Sequence, residues 1–98
     1  MRMMLKFTVP AETSNKAFLD GSMAKILEEI MSKLKPEAAY FTPMDGKRGG
    51  MLFFDMADSS QIIEACEPFF LNWNGHVEFT PVMNGDDLRK GFAAMAQK

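Results

Sequence analysis

Met3, Leu5, Phe7 and Val9 alternate with Met4, Lys6 and Thr8. This period of two predicts a first strand that ends at Pro10. After the polar stretch Glu12-Thr13-Ser14-Asn15, apolar residues return at Leu19, Met23, Ile26, Leu27, Ile30, Met31 and Leu34, the spacing of one helix face. Thr13 or Ser14 is the expected cap, and Lys33 and Lys35 suit the negative end of the helix dipole. Asp20-Gly21-Ser22 is the weak point, because glycine inside a helix costs about 1 kcal/mol relative to alanine, and a kink or break is expected there. Pro36 ends this helix, and Ala38 to Pro43 reads as a second strand running into the turn chemistry of Asp45-Gly46. The return strand spans Met51 to Met56, so Lys47-Arg48-Gly49-Gly50 is expected to be a flexible loop longer than the two-residue minimum. Asp58-Ser59-Ser60-Gln61 has the form of a capping box ahead of Ile62, Ile63, Ala65 and Cys66, a helix that Pro68 should kink or end. His76 to Val82 forms a fourth strand, and Asn84-Gly85-Asp86-Asp87 opens a last helix with Leu88, Phe92, Met95 and Ala96 on one stripe.

The order β-α-β-β-α-β with an extra C-terminal helix is the ferredoxin-like split βαβ arrangement, an α+β fold. Its antiparallel sheet places the strands in the order four, one, three, two. Proline is confined to strand edges, starts and bulges, and Pro43 and Pro81 fall in the two strands this topology puts outside. Helices should cover Met3, Leu5, Phe7, Val9, Ala39, Phe41, Leu52, Phe54, Met56, Val77 and Phe79. The opposite face then carries Met4, Lys6, Thr8, Tyr40, Thr42, Met51, Phe53, Asp55, His76, Glu78 and Thr80. That face is too apolar to leave in water and too charged for a dry core. Two such sheets packed around a two-fold axis would cover it and leave a semi-enclosed cavity.

The chain is 98 residues long, which is room for one domain, residues 1–98. With 47% hydrophobic and 24% charged residues it is expected to fold as an ordinary globular unit. A net charge of −2 offers no general attraction to phosphate backbones or anionic lipid. Lys6 interrupts the only N-terminal stretch that could serve as a signal peptide, and no segment reaches the roughly 18 apolar residues of a membrane span. The single cysteine, Cys66, forms no intrachain disulfide and suits a reducing compartment, so the cytoplasm is the expected location.

Strand, helix, hairpin, helix and strand on about 100 residues resemble the dimeric α+β barrel superfamily, which includes small isomerases and cofactor-free monooxygenases. Lys35-Pro36-Glu37-Ala38-Ala39-Tyr40-Phe41 and Val77-Glu78-Phe79-Thr80-Pro81-Val82 resemble more particularly one group of short bacterial proteins of unknown function. The resemblance implies a homodimer with a pocket between sheet and helices or between the two sheets. It carries over no catalytic residues.

Lys6, Tyr40, Phe53, Asp55, His76 and Glu78 are the expected cavity lining, for a mainly apolar or aromatic ligand. His76, Glu78 and Asp55 are the candidates to move a proton in the alternative reading as an enzyme, an isomerase or cofactor-free oxygenase. Each has a plainer role: His76 follows the Asn74-Gly75 turn, Glu78 and Lys6 are cross-strand neighbours that neutralise each other, and Asp55 bonds a hydroxyl such as Tyr40. An open face that meets a different protein is the third reading. One histidine and one cysteine ten residues apart make no metal set, and neither a metal nor a cofactor is expected. Arg48-Gly49 begins like the third-strand signature of an RNA recognition motif, but Gly50, Leu52 and Asp55 stand where aromatics belong. Gly46 to Gly50 lacks the spacing of a phosphate loop. Of the methionines, Met23, Met31, Met56 and Met95 fall on expected core stripes. Phe69, Phe70 and Trp73 read as packing of a helix end, or else as a gate or a dimer contact.

Overall fold

Alternation builds the sheet. In the computed structural model, which describes residues 1–97, β1 (Arg2–Val9) lies between β3 (Arg48–Asp55) and β4 (His76–Pro81), and β2 (Ala38–Phe41) flanks β3. All pairings are antiparallel in the order β2-β3-β1-β4, which read from the other edge is four, one, three, two. The register runs without a bulge: Leu5 faces Leu52 and Phe79, and Lys6 faces Met51 and Glu78. One sheet face therefore collects Met3, Leu5, Phe7, Val9, Leu52 and Phe54, all buried, under the helices. Ala39, Val77 and Phe79 pack against this core half-buried, whereas Phe41, expected inside, is 52% exposed because β2 is a short edge strand.

The expected first helix is two. Ser14 N–H bonds the Pro10 carbonyl, so α1 (Ala11–Leu19) begins at once after the fixed φ of Pro10. Thr13 and Ser14 are consequently not caps. The Thr13 hydroxyl donates to the Trp73 carbonyl at 2.5 Å, and Ser14 is fully buried. Gly21, at φ +83°, breaks the chain, and α2 (Ser22–Leu34) restarts with the Ser22 N–H on the Asp20 carboxylate. Those bonds from Ser22 hold the Asp20 carboxyl below its ordinary range.

The hairpin is tighter than expected. Asp45 and Gly46 both have positive φ, as a two-residue type I′ turn requires, and Met44 and Lys47 exchange both backbone hydrogen bonds. Arg48, Gly49 and Gly50 are thus part of β3 rather than a loop. Likewise, α3 (Gln61–Trp73) does not end at Pro68. The proline removes one hydrogen bond, but Ala65, Cys66, Phe69 and Trp73 lock one side of the helix into the core on both sides of it. Its entry is half a capping box: the Gln61 side chain accepts from Ala57 and Asp58 N–H, while the Asp58 carboxylate accepts from Ser60 N–H.

The last helix, α4 (Gly85–Ala96), opens with a complete capping box between Asn84 and Asp87. It has no buried residue, and Leu88, Phe92 and Met95 are exposed. Met95 is therefore not a core residue of this chain, unlike Met56. Arg2 anchors the start of α4 by bonding both Glu37 and Asp87, and these partners raise the Arg2 pKa. The radius of gyration is 15.8 Å, against about 13 Å for a compact chain of this length. No helix among the described residues is long and apolar enough to cross a membrane.

Candidate functional site

The side chains expected to line a cavity share the open face of the sheet, and they divide into two halves. Tyr40 on β2 and Phe53 on β3 meet edge to face, ring centroids 6.5 Å apart, beside Met51 and Met4. On the β1 and β4 side, the Lys6 ammonium lies 3.9 Å from the Glu78 carboxylate, both exposed. A solvated pair of this kind contributes little to stability, which agrees with the neutralising role. His76 is exposed at the start of β4, opposite Thr8.

Asp55 departs from expectation. It lies at the open end of the sheet, 83% exposed by side chain, and accepts a hydrogen bond from the Met1 amino group at 2.8 Å. Tyr40 pairs with Met51, four residues back along β3, which is roughly 13 Å from Asp55 and beyond hydrogen-bond reach. Asp55, His76 and Glu78 therefore do not form a catalytic cluster within one chain.

The helix side holds an open cleft. A cleft of about 370 Å³ opens between the α1–α2 junction, the β2–β3 hairpin and the end of α3, with Phe7, Val9, Phe18, Met23, Leu27, Phe41, Arg48 and Trp73 in its wall. Four rings run through this region in sequence. Phe41 meets Phe7 at 6.4 Å, Phe7 meets Phe69 at 4.6 Å, and Phe69 meets Trp73 at 5.8 Å between centroids. Phe7, Phe69 and Trp73 of this series are buried, so Phe41, with Phe18 beside it in the wall, is the ring the cleft exposes. Trp73 is 1% exposed, and its indole N–H is buried with no hydrogen-bond partner among the described residues.

Arg48 supplies the charge. It opens β3 opposite Val9, so strand alternation puts it on the helix side, where it remains exposed while its Nη1 donates to Ser14 Oγ at 2.8 Å and to Asn15 Oδ1 at 2.6 Å. Its guanidinium carbon lies 5.3 Å from the centre of the Phe18 ring, within cation–π range. Among the described residues Ser14 is the only fully buried polar side chain in the core, and this bond together with its own donation to the Ala11 carbonyl explains why a hydroxyl is tolerated there.

Sequence reasoning placed the site on the open face and missed Arg48, Phe18 and Trp73 as parts of one cleft. The available signal was parity: Arg48, the exposed first residue of β3, shares its face with buried Leu52 and Phe54. Reading residues 47–50 as a loop erased that parity. No protein-family model matches the chain, and no curated protein matches it.

Proposed function

We propose that this chain is a small-molecule-binding protein that works as a homodimer, with its ligand in the cleft between helices and hairpin and its open sheet face against a second copy. The observation that carries the ligand reading is the cleft itself, an aromatic-walled space of about 370 Å³ with one pinned guanidinium. Ligand pockets typically occupy about 300–1,000 Å³ and combine apolar walls with a few placed polar groups. The ligand is accordingly a small apolar or aromatic molecule. Its binding should raise the melting temperature and change the emission of Trp73, the only tryptophan, whose ring forms part of the wall. A survey of monocyclic aromatic and medium-chain alkyl compounds that moves neither signal would refute the reading.

A second copy fits the open face because that face is self-complementary. Apolar Tyr40, Met51 and Phe53 occupy one half, and Lys6 and Glu78 offer both signs of charge on the other. A two-fold operation sets like patch on like patch and allows each Lys6 to meet a Glu78 across the axis. The exposed stripe of α4 extends the apolar surface available to a partner. This arrangement is that of the dimeric α+β barrel. Sedimentation equilibrium should give twice the 11.0 kDa chain mass, and Phe53→Glu should return it to the single-chain value. A wild-type chain of single mass at micromolar concentration would remove the dimer.

A further inference from the structure

We infer that the ligand of the cleft is a hydrophobic carboxylic acid whose carboxylate binds Arg48; this rests on the reading of the cleft as a ligand site. Arg48 is exposed at the start of β3 and has no counter-ion among the described residues. It is in the wall of a mainly apolar space. Ser14 and Asn15 occupy Nη1, while Nη2 and Nε meet no acceptor among the described residues. The two bonds to α1 and the Phe18 ring hold the guanidinium plane in place before any ligand arrives. A guanidinium held in this way presents parallel N–H groups that match the two oxygens of a carboxylate.

The rest of the wall narrows the class. Among the described residues Arg48 is the only charged one lining the cleft, so the site compensates a single negative charge and offers nothing to an amine. A phosphate ester, with up to two charges and three acceptor oxygens, would find one cation and few donors. Beyond the head group, Phe7, Leu27, Phe41 and Trp73 surround the body of the ligand with apolar surface. The volume suits one ring with a short chain, or a medium alkyl chain, rather than a polycyclic cofactor.

The decisive comparison pairs an acid with its neutral isostere. Titrations of the wild-type protein with 4-phenylbutyrate and 4-phenylbutanamide, and with octanoate and octanamide, are followed by Trp73 fluorescence and by calorimetry at pH 7 in low salt. The acids should bind roughly ten- to a hundredfold more tightly than the amides, the range for a charge-assisted hydrogen-bonded pair. Arg48→Gln should erase that ratio while amide binding persists, Arg48→Lys should keep part of it, and Leu27→Trp should block both probes by filling the cleft. Equal affinities for acid and amide in the wild type would overturn the acid assignment and leave the cleft standing as a ligand site. Failure of both probes in the wild type would overturn the ligand site together with the acid. Should Arg48→Gln fail to fold, having lost its tie to α1, the wild-type ratio still decides the question alone.

Discussion

At Gly50 three strands come too close for a side chain. A Cβ there would lie 2.7 Å from the Tyr40 carbonyl oxygen and 2.9–3.0 Å from the Phe41 and Phe7 rings. The carbonyl belongs to the β2 backbone and cannot swing away, so Gly50→Ala should destabilise the protein by about 1–3 kcal/mol, the usual cost of overpacking. Urea denaturation measures this, and an unchanged midpoint would contradict the geometry. Cys66 is buried on α3, and burial together with neighbouring Glu67 pushes its thiol pKa up. The thiol therefore stays protonated at neutral pH, and folded protein should react with iodoacetamide at least roughly tenfold more slowly than protein unfolded in urea. Equal rates would show that the side chain is reachable. Residues of this scale were unevenly legible in the sequence. Lys6 and Glu78 could be paired because antiparallel register follows from alternation, whereas the Arg48–Ser14 bond joins residues on separate elements that no local pattern connects.

Among the elements, strands were the more legible because their period survives whatever packs on them. Helix ends were less so. Pro10 started α1 ahead of the polar residues that resemble caps, and Pro68 was carried through α3 by contacts with the core. The first follows from the φ that Pro10 fixes, and the second from tertiary contacts that a local reading of prolines does not contain. The entry to α3 did follow its local signal in part, and it has a pH signature. Hydrogen bonds from Ser60 hold the Asp58 carboxyl below its ordinary range. A folded-state pKa below the unfolded value of about 3.9 stabilises the fold fully above that value, and the contribution disappears as pH falls through the folded pKa. Asp58→Ala should thus lower the melting temperature at pH 7 and converge with wild type as pH falls through that lowered pKa. A gap that persists in acid would assign the effect to something other than the carboxylate.

For the whole molecule, the constant register makes the two sheet faces strictly exclusive. A slip of one residue in β1 would send Lys6 into the core and Leu5 into solvent, so pairing is strongly specified. The sequence showed this division of faces, and with it the mixed character of the open face. It could not show the cleft, because that space exists only where the hairpin, the α1–α2 break and the end of α3 converge. The projecting helix has a practical consequence of its own. With principal extents of 56 × 26 × 18 Å, a lone copy would tumble as a rod and leave a sizing column ahead of a sphere of equal mass. Early elution would then counterfeit a pair of copies, and only a method blind to shape can count them.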